Sequence, residues 1–428
     1  MQNNVLNSIL RDLEVDSQKM LNIAMLFKET MEKTLAGETT CLKMLPSFIG
    51  KPTGKEKGTF MTIDMGGTNL RCTKFAIENG TFNNLGEIKA KLINKEKDYD
   101  LTKADTTAEQ LFGFMAESIK SLVDGEEKLY LGNTFSFPCK QLGINEAYLI
   151  HWTKEIATSG VEGSNINKLL ADALKAKNIN VEPVAILNDT VGTQLVAMYS
   201  YQESDIASIM GTGHNTCYLE KKHPLNGGNM IVNIESGNYN VGLPVTKYDE
   251  IIDKNSQLPG AQMLEKMVSG YYMGYLVREM LLDLYKNNEL FTNADIDTKE
   301  FFGQNFNALM VENFILYPSK TEEQYSCSRE DAEKIRKVAM AVLNRTVRLV
   351  ASSFLGILFH QHGGTDINEK HVIAIDGTIY EKMPKVHDLM VQALKDALGD
   401  KAELIEIKLV KDGSGLGAAI AAAVAVTQ

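Results

Sequence analysis

Paired cysteines are the first thing this chain lacks. Its five cysteines (Cys41, Cys72, Cys139, Cys217, Cys327) are odd in number, widely scattered and never spaced C-x-x-C. That argues against a disulfide framework or a cysteine-based zinc site and suits free thiols in a reducing compartment. A basic block is also missing. With 44 Lys and Arg against 55 Asp and Glu, the net charge is −11, which argues against nucleic acid or an anionic membrane as the main partner. The seven histidines show no metal pattern, and His360-x-His362 on a helix points its rings to different sides. The opening MQNNVLNSILRDLEV is polar and acidic, so no secretory leader is expected. The longest apolar run, 415–426, is too short to span a bilayer. A cytoplasmic location is the expectation.

What is present suits a globular protein: 44% hydrophobic and 23% charged residues, in a length of 428 that exceeds one ordinary core and predicts two domains. Residues 1–45 read as helix, with apolar spacing at Leu6, Ile9, Leu10, Leu13 and again at Met20, Ile23, Ala24, Phe27. A polar linker, 51–58, leads into a strand at 59–63, a glycine turn and a strand at 70–77. Residues 206–210, a second glycine turn and 216–219 repeat that design, so the chain carries an internal structural duplication. Between them, strands (129–137, 184–187) alternate with helices (107–123, 164–177), which favours an α/β fold. Helices follow at 261–286 and 329–362. A strand at 371–375, a helix at 384–398, a strand at 403–409 and an alanine-rich terminal helix complete the reading.

Chemistry concentrates at the ends of these strands. The run Val184 to Leu187 ends in Asn188-Asp189-Thr190. A carboxylate at a strand end can serve as a general base, or can merely cap the helix that follows. Asp64-Met65-Gly66-Gly67-Thr68-Asn69 fits neither G-x-x-x-x-G-K-[ST] nor G-x-G-x-x-G. Its paired glycines would still let backbone N–H groups face an anion, with Thr68 and Asn69 as donors and Asp64 holding Mg²⁺ through water. An ordinary hairpin is the plain alternative. Asp412-Gly413-Ser414-Gly415 could cap and pack a helix, bind an anion at its N-terminus, or both. Four glycine turns after strands, at 66, 211, 377 and 413, suggest a nucleotide phosphate.

Eight motifs, in order, resemble the eukaryote-type hexokinase family, which includes the glucokinases. They are Phe135-Ser136-Phe137-Pro138, Trp152-Thr153-Lys154, Asn188-Asp189-Thr190-Val191-Gly192-Thr193, Gly211-Thr212-Gly213-x-Asn215, Asn233-Ile234-Glu235, the run from Pro259 to Met267, Asp376-Gly377-Thr378 and Asp412-Gly413-Ser414-Gly415. The resemblance runs from about residue 20 to the C-terminus. It implies an α/β fold of the actin-like ATPase (ribonuclease H-like) type, with two lobes around a sugar and ATP cleft. The small lobe would comprise 58–188 plus 412–428, and the large lobe 1–57 plus 189–411. Closure of the lobes over sugar would exclude water.

The implied reaction is transfer of a phosphoryl group from ATP, with Mg²⁺, to the 6-hydroxyl of a hexose, most naturally glucose, as the first step of glycolysis. By resemblance, Asp189 is the general base and Lys154 stabilises the transferring phosphoryl group. Ser136, Thr153, Lys154, Asn188, Asp189, Asn215, Glu235, Gln262 and Glu265 match the sugar-contacting set, whose amides and acids suit hydroxyls. Asp64, Gly66, Gly67, Thr68, Asn69, Arg71, Thr212, Gly377, Thr378, Ser414 and Gly415 match the nucleotide set. Without the resemblance, Glu265 reads as an acid favoured by a helix N-terminus, Glu235 as a surface strand residue and Arg71 as an outward strand residue. Three positions depart from the family: Ser236 replaces an aromatic residue, Glu155-Ile156 replaces Gly-Phe, and His214 takes a place normally Thr, Cys or Ser. The alternatives are a catalytically weak sugar sensor of the same fold, and a chaperone-type ATPase in which water replaces the sugar. A monomer or homodimer without nucleic-acid or membrane partners is expected.

Overall fold

The computed structural model describes residues 4–67, 69–78, 80–94, 96, 99–125, 127–153, 156–292 and 296–427. Thr68, Lys154 and Glu155, singled out above, lie outside the described residues. The chain forms two compact units. One comprises Leu45–Ala207, Cys217–Asn233 and Val410–Gln428, and the other Met1–Met44, Ser208–Thr216 and Ile234–Leu409.

The first unit is built on a five-stranded sheet in the order Val181–Leu187, Leu129–Phe135, Gly58–Met65, Asn69–Glu78, Thr81–Lys91. The first three strands run parallel and the last two are antiparallel. Helices Ala108–Lys120 and Ile166–Ala176 present Leu111, Phe112, Met115, Ile119, Leu170 and Leu174 to a core with Met61, Ile63, Leu129 and Leu131 of the sheet. Parallel strands covered on both faces are buried along their length, as strand Leu129–Phe135 shows, where every residue but Tyr130 is buried. The terminal helix Gly413–Thr427 packs against the same strands and against helix Asp189–Ser200. This approach needs glycine: a Cβ on Gly132 would lie 1.9 Å from the Ala418 carbonyl oxygen, and one on Gly417 would lie 2.3 Å from the Gly192 Cα.

The second unit is mainly helical. Its core helix, Arg329–Gln361, packs on Ser17–Leu35, Gly270–Lys286 and Val386–Leu398. Length and composition alone would let this helix cross a membrane, but its most apolar stretch is 89% buried inside the protein. Gly356 allows the close approach of Ser17–Leu35, since a Cβ there would meet the Ala24 carbonyl at 2.8 Å. Strands His371–Asp376 and Ile405–Leu409 pair in parallel, with His371 opposite Ile405.

Two expected helices are broken. Residues 1–45 form helices Val5–Asp12 and Ser17–Leu35, the second capped by Asp16, and the helical structure stops at Leu35. The helix expected over 261–286 divides into Met263–Val268 and Gly270–Lys286. The break occurs because Gly270 and Tyr271 donate their N–H groups to the carbonyls of Gly211 and Thr212. These bonds satisfy amides that a new helix start leaves without an intrahelical acceptor.

Candidate active site

In the first unit, the three parallel strands end at Met65, Phe135 and Leu187, all on one edge of the sheet. Loops at the carboxyl edge of a parallel sheet are the usual place for ligands. That edge carries Asp64, the Gly66-Gly67 turn, Ser136, Asn188 and Asp189. The helix cap considered for Asp189 belongs instead to its neighbour. Asn188 is the N-cap of helix Asp189–Ser200, its Oδ1 accepting from the Thr190 N–H at 2.9 Å and from the Thr190 hydroxyl at 2.6 Å. Asp189 is the first helical residue. Its Oδ1 shares the Thr190 N–H at 2.9 Å, and its Oδ2 accepts from the Ser136 hydroxyl at 3.3 Å. The cap and the carboxylate are thus separate groups on adjacent residues.

Trp152 anchors the loop before Thr153. Its indole N–H donates to the Thr158 carbonyl at 2.8 Å, and its ring packs on Phe137 and Phe135, which flank Ser136. Thr153 is half-buried beside it.

Strand register places Asp64 opposite Arg71. Arg71 is no outward strand residue: its guanidinium lies 2.5 Å from Asp412, 3.4 Å from Asp64 and 4.0 Å from Glu87. Two effects on Asp64 compete. Burial raises its pKa, the Arg71 charge lowers it, and the nearby Asp189 and Asp412 carboxylates raise it again. The net result is about 6. Burial of a charge with surplus negative neighbours outweighs one guanidinium at 3.4 Å.

The turn between these strands closes through the Gly66 N–H, which donates to the Asn69 carbonyl at 3.0 Å. That amide therefore serves the turn, contrary to its expected role of facing an anion. A Cβ on Gly66 would meet nothing closer than 3.8 Å, and Gly66 has no positive φ. Neither packing against the described residues nor backbone conformation demands glycine at this position. At the start of the terminal helix, the Ser414 carbonyl accepts from the Thr134 hydroxyl at 2.8 Å. A Cβ on Gly413 would lie 2.3 Å from the Thr193 hydroxyl oxygen, so this glycine is a packing residue. Gly415 lies against the Arg71–Asp412 pair.

The second unit gathers the other predicted residues in two groups. Gly211 faces the backbone of Gly377 and Thr378, so Thr212, Gly377 and Thr378 form one group. Gly377 adopts φ 115°, and a Cβ there would lie 2.5 Å from the Met210 carbonyl oxygen, so only glycine fits. In the other group, the Asn215 Oδ1 accepts from the Thr216 N–H at 2.7 Å and the Ser236 N–H at 3.3 Å. The Glu265 Oε2 accepts from the His214 N–H at 3.3 Å and lies 3.4 Å from where a Gly213 Cβ would be. Glu235 is not the surface strand residue its sequence allows, and Gln262 shares its unusual backbone. Both are left-handed, with φ 56° and 54°, each at the residue before a short helix. Such conformations cost on the order of 1–3 kcal/mol and concentrate at functional sites.

Two of the family departures meet in this group. The His214 Nε2 lies 3.3 Å from the Ser236 hydroxyl, and its Nδ1 lies 3.2 Å from the Ile209 carbonyl. Complete burial drives the His214 imidazole down to about 4, so it is a neutral ring. The histidine and the serine fit one another: the larger ring stands at 214 and the smaller group at 236. Sequence reading noted each departure and missed that they form a pair, because the two residues belong to different strands and loops.

Solved structures with the same chain path include a crystal structure of a hexokinase, with a TM-score of 0.86, 29% identity and 98% of each chain covered. A hexokinase from Schistosoma mansoni complexed with glucose has a TM-score of 0.82, with 28% identity and 98% of each chain covered. The fold is therefore the two-lobed α/β fold of actin-like ATPases, and the class is that of sugar kinases using ATP. Family models described as Hexokinase match residues 5–199 and 205–424. Hexokinase-1 of Schizosaccharomyces pombe is 34% identical over 93% of this chain and 86% of its own length. The chain belongs to the hexokinase family, whose members phosphorylate a hexose with ATP.

Proposed function

We propose that the enzyme transfers the γ-phosphoryl group of ATP to the 6-hydroxyl of glucose, the first step of glycolysis. The observation that carries the reading is the setting of Asp189. Its carboxylate stands at the carboxyl edge of three parallel strands, with Asn188 rather than Asp189 capping the helix. Asp189 takes the proton of the sugar 6-hydroxyl as the oxygen attacks, and the Ser136 hydroxyl at 3.3 Å orients it. The assignment of glucose draws on the glucose complex of the Schistosoma mansoni enzyme. Thr153, Asn188, Asn215, Glu235, Gln262 and Glu265 supply the amides, hydroxyl and acids that suit sugar hydroxyls. Lys154, assigned by its motif alone, neutralises charge on the transferring group.

The residues around Asp64 fit a divalent cation. Asp64 is buried near two further carboxylates, Asp189 and Asp412, with Arg71 as the nearby cation, and burial together with this negative charge raises its pKa. Asp64 would hold Mg²⁺ through water. The ion would neutralise the ATP phosphates when bound. Gly66, Gly67, Thr68, Asn69, Arg71, Thr212, Gly377, Thr378, Ser414 and Gly415 are assigned to ATP.

The test is incubation with MgATP and a panel of hexoses, with products identified and kcat/KM compared. Glucose 6-phosphate is expected, with glucose among the best substrates. Glucose binding by calorimetry without product would overturn the reading in favour of a sugar sensor. ATP hydrolysis indifferent to every hexose would overturn it in favour of a simple ATPase.

Asp64 also gives a pH signature that is independent of turnover. Its folded pKa of about 6 lies above the unfolded value of 3.8. The folded state therefore holds the proton more tightly, and stability falls as pH rises from 3.8 through 6. Asp64→Asn removes that loss. Without Mg²⁺ or ATP, the variant is expected to be more stable than wild type by on the order of 2–3 kcal/mol at pH 8 and no more stable at pH 4. Denaturant midpoints at the two pH values measure this. An equal offset at both would show that charge burial is not the cause.

A further inference from the structure

We propose that His362, Glu369 and His371 form a binding site for a zinc-class divalent transition-metal ion, distinct from any Mg²⁺ that accompanies ATP. The three residues lie on either side of one short connection. His362 is the C-cap of the core helix Arg329–Gln361, and its N–H donates to the Leu358 carbonyl at 3.0 Å. Gly363, with φ 66°, and Gly364 then return N–H groups to the His360 and Phe359 carbonyls at 3.1 and 2.9 Å. This closing turn fixes where the His362 ring can go. His371 is the first residue of strand His371–Asp376, held in register opposite Ile405.

The fold brings the two rings together edge to face, with centroids 5.0 Å apart and Nε2 atoms 2.7 Å apart. One Glu369 carboxylate oxygen and one nitrogen of each ring all lie within 4.8 Å of one another. His371 is almost fully buried, His362 is half-buried and Glu369 is exposed, so the trio has a fixed floor and an open side. At 2.7 Å the two Nε2 atoms can share one proton in an N–H···N bond. A metal ion replaces that proton and takes both nitrogens. Tetrahedral zinc with Zn–N of 2.0–2.1 Å needs its two nitrogens about 3.3 Å apart. A small rotation of the half-exposed His362 ring supplies that opening, and Glu369 already holds a carboxylate oxygen within 4.8 Å of both rings' ligand nitrogens.

The donor set selects the metal. Two imidazoles and one carboxylate, with a position left for water, suit zinc and its neighbours, whereas Mg²⁺ prefers oxygen ligands. The local field is favourable. The negative end of a 33-residue helix points at the site, and the Asp366 carboxylate lies near His362. Lys401 pairs with Asp366 and offsets part of that charge. Sequence inspection found no metal spacing because it compared His362 with His360. The latter turns away to Glu32, 3.3 Å distant. Bound metal would tie the end of the core helix to the start of a strand that runs to Asp376 and Gly377.

The experiment uses the full chain, with any affinity tag removed and metal stripped by EDTA dialysis, then titrated with ZnCl₂ and separately with CoCl₂. One ion per chain is expected, together with a rise in Tm under saturating Zn²⁺ and the visible absorption of four-coordinate Co²⁺. Excess MgCl₂ should not displace the ion. Glu369→Gln, at an exposed position that should not affect folding, is expected to weaken binding about 10-fold or more. His362→Asn should abolish the Co²⁺ band. Absence of stoichiometric binding overturns the proposal. So does binding of equal strength in the His362→Asn, Glu369→Gln double variant, which would place the ion on other ligands.

Discussion

Replacing Asp189 with alanine is expected to lower kcat for hexose phosphorylation by about 10²- to 10⁴-fold, the usual contribution of a positioned general base. Stability should change by no more than about 1 kcal/mol, because the helix keeps its cap: Asn188 still accepts from the Thr190 N–H and hydroxyl. The informative variant is Asp189→Asn. Asparagine keeps the shape and one acceptor oxygen, which can still take the Thr190 N–H, while its NH2 group donates to the Ser136 hydroxyl instead of accepting from it; it cannot take a proton. If Asp189 is the base, the asparagine variant falls as far as the alanine variant in kcat while glucose binding is largely kept. If its role is only to hold the helix start, the asparagine variant retains activity. Steady-state kinetics with calorimetric glucose titration separates the two outcomes, and substantial turnover in Asp189→Asn would sink the assignment.

Replacing Arg345 with alanine is expected to destabilise the helical unit by about 3–5 kcal/mol, the usual cost of breaking a buried ion pair by removing one partner. Arg345 sits midway along the core helix. Its two terminal nitrogens donate to the two oxygens of Asp249 at 2.8 Å each, with both side chains almost wholly buried. Asp249 also accepts from the N–H and hydroxyl of Thr246 in a capping box. Burial would raise the Asp249 pKa, but the Arg345 charge and these hydrogen bonds hold it below the usual value. The truncation leaves that carboxylate buried without its cation. A double replacement of Arg345 and Asp249 by well-fitting apolar residues should recover most of the loss. The Arg345 Nε has no hydrogen-bond partner, so the native pair already leaves one polar atom unmet. The folded pKa of Asp249 is depressed, so the pair stabilises above pH 3.8 and its contribution disappears as pH falls through the lower folded value. The gap between wild type and Arg345→Ala should therefore narrow in acid. Urea unfolding followed by circular dichroism measures it. Fluorescence of the single tryptophan, Trp152, would report the other unit. A loss below about 1 kcal/mol at neutral pH would show that the pair matters little.

The strands and glycine turns were legible in the chain because their signals are local, and the reaction class through eight ordered motifs that together resemble one family. An apolar run ending in Asn188-Asp189 is a strand end wherever it occurs, and glycine turns declare themselves. Which of two adjacent residues caps the helix was not legible, since Asn188 and Asp189 are both good caps and only tertiary placement divides the roles. Arg71 could not be recognised as an ion-pair centre because Asp412, its nearest partner, is remote in sequence. The break at Ser269 was hidden for the same reason: the carbonyls that receive the new helix start belong to Gly211 and Thr212. The histidine pair at 362 and 371 needed a turn whose exit direction depends on Gly363 adopting φ 66°.

The terminal helix Gly413–Thr427 has a consequence for synthesis. The sheet it packs on is complete in sequence at Leu187, yet the helix does not begin until Gly413. At 5–20 residues per second, a ribosome needs on the order of 10–45 s to make the residues between. For that interval the nascent sheet has no partner for its face at Gly132, whose missing side chain was shaped for Ala418. That face of the sheet thus waits for its cover until the last helix is made. A chaperone that shields apolar sheet surface on the ribosome should therefore matter more to the yield of this protein than to its final stability.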